Sequence, residues 1–312
     1  MSTTGIGEYL QKLQLPQPQS HKGQNGKLLI IGGSDLFHAA SKWSLDVASK
    51  FVDMVFYASV PSNNQLVAEA KGQFWNGIIV ERTDIEGYLE EADAVLIGPG
   101  MTRGEFKEID VKTAPTEAEW SHDTQKVTNY LLKKYPHKKW VIDAGALQMV
   151  DPDLLTDTMI VTPHHQELER LEGLVERVLH DSTATQQQRT SETSSQDAAI
   201  PRSVLQPFDY LLSKGITIVL KGSVDFVYSG KEVVEVSGGN PGMTKGGTGD
   251  VLAGVIAALY ATNDKMTAAV VGSYANKLAG ESLAQKVGPF FNASDLVQAV
   301  PEVLWKNLSN KD

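Results

Sequence analysis

Six runs of apolar, largely β-branched residues recur along the chain: KLLIIGG (27–33), MVFYASV (54–60), AVLIGPG (94–100), KWVIDAG (139–145), MIVTPH (159–164) and ITIVLKG (216–222). They are apolar nearly throughout instead of alternating with polar residues, a pattern suited to strands covered on both faces. Segments of helical periodicity lie between them, over about 39–51, 123–134 and 165–172. Strand, helix, strand in that order predicts a mostly parallel central sheet with helices on both sides, an α/β/α arrangement of three layers. DFVYSGKEVVEVSG (225–238) departs from the rhythm and reads as two short antiparallel strands around a turn at SGK. From 250 onward the pattern is helical, with one helix ending near Gly288 and another starting near Asp295, capped by Ser294.

A chain of 312 residues, 41% hydrophobic and 21% charged, can bury a full core. Residues 21–312 read as one domain preceded by an extension over 1–20. Residues 103–122 and 180–199 are polar and look inserted; the second, HDSTATQQQRTSETSSQDAA, has almost nothing to give a core. Cysteine is absent, which excludes disulfides, thiolate metal sites and cysteine nucleophiles. The N-terminus lacks the basic start and apolar centre of a signal peptide, and VLAGVIAALYA (251–261) is too short to span a bilayer. The expectation is therefore a cytoplasmic protein. A net charge of −10 argues against partners that want a basic face, nucleic acid and anionic membranes. Any anion site has to be local, made from backbone N–H groups, a helix N-terminus and a few lysines.

The segment GGNPGMTKGGTGD (238–250) has that form. Gly246, Gly247 and Gly249 let successive N–H groups face one concavity immediately before an apolar helix, and Asp250 falls in its first turn. Taken alone, the segment reads equally well as a glycine turn with a favourable N-terminal acid. Five other strand ends carry unusual chemistry on the edge where open α/β sheets bind ligands. They are GGSD (32–35), IGPG (97–100), Asp143 in DAGAL, His164 and Glu167 in TPHHQE, and Lys221 and Gly222 in VLKGSVD. Each has a turn or cap reading of its own. No histidine spacing suggests zinc, so no residue is assigned to a metal.

With HKG before the first strand, then GGSD, IGPG, DAGAL, TPHHQE, VLKG and NPGMTKGGTGDVLAG, the sequence resembles the NAD(P)H-hydrate dehydratase family, a branch of the ribokinase-like fold. That resemblance implies a repair reaction. The hydroxyl on a hydrated nicotinamide ring is phosphorylated from ADP or ATP, and phosphate then leaves to restore NADH or NADPH. It further implies that Ala39, Gly100, His164 and Asp250 contact the hydrate, with Asp250 as base on the hydroxyl. Lys221, Gly222, Ser223, Val224 and Asp225 would contact the nucleotide, together with Gly246, Gly247, Thr248 and Gly249 around the transferring phosphoryl group. Mg2+ is expected to share the phosphate charge, and a homo-oligomer is expected because the family often forms symmetric assemblies. Only about twenty residues precede HKG, so the expectation is a stand-alone dehydratase without an epimerase domain ahead of it.

Several positions depart from the family's pattern. His38-Ala39 stands where GA is usual, SKFVDMV (49–55) where RSGAGLV is usual, and TPHHQE where TPHPGE is usual. Asp225 stands where a neutral hydroxyl would meet the nucleotide, and a bare carboxylate beside phosphates is unfavourable unless a cation intervenes. Two further readings stay open: a kinase of a small alcohol, such as a sugar or vitamin precursor, and a family member that binds nucleotide without turnover.

Overall fold

The computed structural model describes residues 4–72, 76–187 and 206–309, without the side chains of Thr4 and of 181–187. Each apolar run forms a strand: β1 (Lys27–Ile31), β2 (Met54–Ser59), β4 (Ala94–Ile97), β5 (Lys139–Ile142), β6 (Met159–Val161) and β7 (Thr217–Leu220), with β3 (Ile78–Glu81) added at one edge. The hairpin β8 (Asp225–Ser229) and β9 (Glu232–Val236) closes the other edge, so the sheet runs β3-β2-β1-β4-β5-β6-β7-β8-β9. Pairing is parallel from β3 to β7 and antiparallel from β7 to β9. Every strand stops short of the end of its run; after β1 and β4 the chain turns at glycines of positive φ, Gly33 and Gly98, and Pro99 lacks an N–H for the ladder.

Alternate residues of each strand feed two cores, as the two-residue period of a strand requires. Leu28, Ile30, Leu96 and Val141 face one helical layer, with α2 (Ala39–Ala48), α10 (Thr248–Thr262), α11 (Lys265–Val287) and α12 (Ala293–Ser309). Leu29, Ile31, Val95 and Ile142 face the other, with α4 (Ile85–Glu91), α5 (Glu117–His122), α6 (Thr124–Lys134), α7 (Ala144–Met149), α8 (His165–Gln187) and α9 (Pro207–Ser213). A short α3 (Pro61–Ala70) links β2 to β3.

Three local expectations change. The helix expected over 165–172 continues through Gly173 to Gln187, carrying Val175 and Leu179 into the second core. The expected insert at 180–199 falls mostly outside the described residues. The cap of α12 is Asn292, whose Oδ1 accepts from the N–H groups of Ser294 (2.8 Å) and Asp295 (3.3 Å), while Ser294 Oγ accepts from Trp43 Nε1. Within the expected extension, α1 (Thr4–Lys12) lays Ile6, Tyr9 and Leu10 into the first core, and Tyr9 bonds Glu232 on β9.

β2 and β3 lie on one side of β1 and β4 on the other, so the chain reverses direction across the sheet between β1 and β4. Loops leaving adjacent parallel strands diverge at such a point and open a crevice beyond their C-terminal ends.

Candidate active site

The wall of that crevice nearest the helices is the start of α10. Gly247 is its N-cap with φ +94°, and a Cβ there would lie 2.2 Å from the Trp43 ring. Only glycine fits that turn. Gly246 beside it has nothing within 4 Å of its would-be Cβ, so its backbone is open to an incoming group. The first-turn N–H groups of a helix have no partner within it and face the positive end of its dipole. Thr248 keeps its hydroxyl inside, donating to the carbonyls of Met243 (2.6 Å) and Lys245 (3.0 Å). Lys245 reaches the Pro289 carbonyl and covers the Phe291 ring instead of pointing into the loop. The concavity therefore offers backbone, not side chains.

Beneath it lies a cluster of charge. Lys221 Nζ, at the end of β7, is 2.8 Å from Asp143 Oδ1 and 3.7 Å from Glu167 Oε2. It also lies 3.6 Å from where Gly249 would carry a Cβ, which puts it against the first turn of α10. Asp143 is almost fully buried and accepts as well from Thr162 Oγ1 (2.7 Å). Glu167 is buried and accepts from Gln148 Nε2 (3.1 Å). Burial first, then the charges of Asp143 and Glu167, push the Asp250 carboxyl up to about 7 against the opposing pull of Lys221. Lys221 is itself held above its ordinary value, because Asp143 and Glu167 outweigh the cost of its burial. A carboxylate poised near neutrality beside an anion-holding turn is equipped to take a proton from a hydroxyl.

His164 opens α8 as a cap. Its Nδ1 accepts from the Glu167 N–H (3.3 Å), and Glu167 Oε2 accepts from the His164 N–H (3.0 Å), the reciprocal pattern of a capping box with histidine in the serine's place. Half of the His164 side chain stays exposed, and its backbone pairs with that of Lys221 in an isolated parallel bridge.

The opposite wall is the GGSD loop and the IGPG turn, joined by the Gly33 N–H donating to the Pro99 carbonyl at 2.7 Å. Gly100, at φ +73°, approaches the Phe37 carbonyl so closely that a Cβ would sit 2.9 Å from it. DAGAL packs against this turn: a Cβ on Gly145 would fall 2.1 Å from the Met101 carbonyl oxygen. Ala144 between them is held at φ +46°, a costly conformation for a residue with a side chain. Ala39 is exposed at the start of α2, and His38 before it turns its ring onto Asn63.

Arg82 is a site residue that no motif marks. It is buried behind the GGSD loop and donates to the carbonyls of Gly32 (2.7 Å), Gly33 (2.8 Å) and Trp120 (2.9 Å). Burial lowers its pKa to about 10, so it stays a cation at neutral pH. Arg82 comes from the end of β3, far along the chain from every motif it braces.

On the nucleotide side, Gly222 and Ser223 are exposed and Val224 half-buried, but the Asp225 side chain is not presented to the cleft. Its Oδ1 accepts from the Gly222 N–H (2.9 Å) and pairs with Lys277 Nζ (3.1 Å), and its Oδ2 accepts from Ser273 Oγ (2.6 Å). The cation that a carboxylate here requires is supplied by the fold itself. A separate groove of about 930 Å³, lined in part by Leu13, Phe51, Leu304 and Trp305, lies off the strands' N-terminal ends, away from all these groups.

Residues 28–302 match the sequence profile of the NAD(P)H-hydrate dehydratase family. The bifunctional NAD(P)H-hydrate repair enzyme of Methanocaldococcus jannaschii is 30% identical over 302 residues, covering 95% of this chain and 51% of the relative. This chain therefore spans about half the length of that relative. The ADP-dependent (S)-NAD(P)H-hydrate dehydratase of Nitrosopumilus maritimus is 29% identical over 290 residues, covering 92% of this chain and 91% of the relative. Among solved structures, the ADP/ATP-dependent NAD(P)H-hydrate dehydratase of Bacillus subtilis, co-crystallized with ATP/Mg2+, superposes with a TM-score of 0.67 at 19% identity, covering 97% of each chain. That likeness establishes the ribokinase-like fold. With the profile match spanning nearly the whole described sheet and both walls of the cleft, the chain belongs to the NAD(P)H-hydrate dehydratase family.

Proposed function

We propose that the protein is a nucleotide-dependent NAD(P)H-hydrate dehydratase, with ADP as the donor and ATP as the alternative. The observation that carries this reading is the place of Asp250, in the first turn of α10 immediately after the glycine turn and within electrostatic reach of Lys221, Asp143 and Glu167. Asp250 takes the proton of the ring hydroxyl as its oxygen attacks the terminal phosphorus. The N–H groups at Gly246, Gly247 and Gly249 hold the phosphoryl oxygens, which is most of what phosphoryl transfer asks of a protein. The phosphate then departs with the C–O bonding pair, and a proton lost from the neighbouring ring carbon restores the double bond. Ala39, Gly100 and His164 line the side where the ring would lie, and Lys221 to Val224 the side of the nucleotide.

Mg2+ fits the residues present. It takes oxygen ligands, keeps several waters, and is usually held by one or two carboxylates together with substrate phosphates. Among the described residues no group of three or more His, Cys, Asp or Glu side chains converges on a point, so the protein builds no cage of its own. Asp143 and Glu167, both buried beside Lys221, are the carboxylates that would hold the ion against the nucleotide. When bound, it offsets charge on the transferring phosphoryl group. The internal neutralisation of Asp225 by Lys277 removes one reason to read the chain as a binder without turnover. A homo-oligomer in the cytoplasm belongs to the same proposal, with light scattering as the check on its assembly.

The test is absorbance at 340 nm after mixing the protein with NADH hydrate, Mg2+ and either ADP or ATP. A rise that depends on one nucleotide supports the reading and identifies the donor. A flat trace from folded protein that binds nucleotide overturns it and favours the alcohol-kinase reading, which a stable phosphate ester among the products would reveal. The pH dependence is expected to follow Asp250 in the free enzyme: kcat/KM rises with pH through a midpoint near 7, because only the deprotonated carboxylate accepts the proton. A profile flat from pH 5 to 8 would remove Asp250 as the base.

A further inference from the structure

The turn from Lys221 to Asp225 is held from below by a buried pair of opposite charges. Lys277 is buried on α11, and its neighbours along the same helix face are Ser273 and Gly280, one and the other a turn away, so its ammonium group has to find its partners outside the helix. Its Nζ donates to the carbonyls of Gly222 (2.9 Å) and Ser223 (3.0 Å) and pairs with Asp225 Oδ1 (3.1 Å). Three partners meet the three donors of the ammonium group. Asp225 is equally occupied, accepting from the Gly222 N–H and from Ser273 Oγ besides Lys277. Both residues are at most 5% exposed. Burying two charges is tolerated only where pairing and hydrogen bonding are this complete, and removing one partner leaves the other stranded.

The arrangement fixes which way the turn's peptide groups face. There are no cis peptide bonds, and in a planar trans peptide the C=O and the following N–H point in opposite directions. With the carbonyls of Gly222 and Ser223 drawn in to Lys277, the N–H groups of Ser223 and Val224 are turned away from α11. Two successive N–H groups on one side of a loop make a small concavity for an anion. Lys277 also touches the glycine-rich segment that leads to α10: a Cβ on Gly239 would lie 3.7 Å from its Cγ. The same side chain thus holds the Gly222–Ser223 turn directly and lies beside Gly239, upstream of the Gly246–Gly249 turn.

We propose that Lys277 and Asp225 are positioning residues for the nucleotide, their internal ion pair presetting the Ser223 and Val224 N–H groups to receive one of its phosphates. The proposal rests on the nucleotide-dependent reading above, and its test separates the two. Calorimetric titration of the full chain with ADP and Mg2+ measures binding without reference to turnover. Lys277→Met releases both carbonyls and strands the Asp225 carboxylate beneath the turn. Its affinity for ADP is expected to fall on the order of 30-fold, about 2 kcal/mol by the usual conversion. KM for ADP should rise correspondingly, with KM for the hydrate unchanged and kcat at saturating ADP within about threefold, a split that general loosening of the fold would not produce. Lys277→Arg, which keeps a cation with several donors, should recover most of the loss.

If Lys277→Met does not fold, Lys277→Met/Asp225→Asn removes both charges together and is expected to fold, since a neutral replacement of a buried pair is tolerated. It should still bind ADP more weakly than the parent. A folded single or double variant with the parent's affinity overturns the proposal, as does an equal rise in both KM values. If the parent itself binds no ADP, the nucleotide-dependent reading fails first.

Discussion

Asp250→Asn is expected to lower kcat by about 10²- to 10⁴-fold, the range that a positioned general base contributes, while leaving ADP binding intact or slightly tighter. The substitution keeps the side chain's size and place in the first turn of α10, so the backbone N–H groups proposed to hold phosphate are undisturbed. It also removes one negative charge from a cluster that already contains Asp143 and Glu167, which favours an incoming anion. Stability gives an independent reading of the same group. A carboxyl raised from its ordinary value in the folded state lowers stability progressively as pH climbs from the unfolded value through the folded one. Asp250→Asn is therefore expected to melt higher than the parent at pH 8 and no differently at pH 4. Wild-type turnover in this variant would show that another group accepts the proton. Loss of ADP binding together with turnover would show that the carboxylate holds the loop instead of serving the reaction. Only a collapse in kcat with retained binding and a pH-dependent gain in stability fits a base kept charged against the preference of its surroundings.

What the sequence disclosed was whatever is local. β1, β2, β4, β5, β6 and β7 announce themselves because a strand buried on both faces must be apolar at every position, as Leu28 to Ile31 are. β3 does not, because it is an edge strand in which Val80 alone is fully buried. The N-terminal helix hid behind Gly5 and Gly7, although Ile6, Tyr9, Leu10 and Leu13 fall at helical spacing. The site divides the same way. Asp250, Gly100, His164 and Glu167 sit in short motifs whose turns and caps can be read from a few neighbouring residues. Arg82 and Ser273 cannot be found so, since their roles exist only once elements distant in the chain are packed together. Lys277 left little trace, since Ser273, Tyr274 and Glu281 share its helix face and a lysine there reads as an ordinary exposed one. Asp225 shows the converse limit: its chemistry is plain from the sequence, yet whether it faced the nucleotide or the core depended on a lysine 52 positions away.

Gly98→Ala is expected to cost about 4 kcal/mol of stability, among the largest effects a single methyl can have, and to cripple the site through Asp143. Gly98 has φ +123°, a backbone conformation that residues with a side chain rarely adopt, and a Cβ would lie 1.8 Å from the Asp143 carbonyl oxygen and 2.8 Å from its carbon. Those are backbone atoms with no rotamer to escape into, so the IGPG turn or the DAGAL turn has to move by more than an ångström. Either shift pulls Asp143 from Lys221, and with it the balance of charge that keeps Asp250 near neutrality. In a chain of this size the loss is on the order of 10 °C in the melting temperature. Gly246→Ala provides the contrast, because nothing lies within 4 Å of its would-be Cβ. It should melt within a degree or two of the parent, since open surface positions change stability by only about 0.5 kcal/mol. Its ADP affinity should nevertheless fall, because the methyl group stands where phosphate must approach the backbone. Calorimetric melting and ADP titration of the two variants separate a glycine required by the fold from one required by the ligand. Equal melting temperatures for Gly98→Ala and the parent would show that the two turns are not locked together. Unchanged ADP binding by Gly246→Ala would move the phosphate site away from the start of α10.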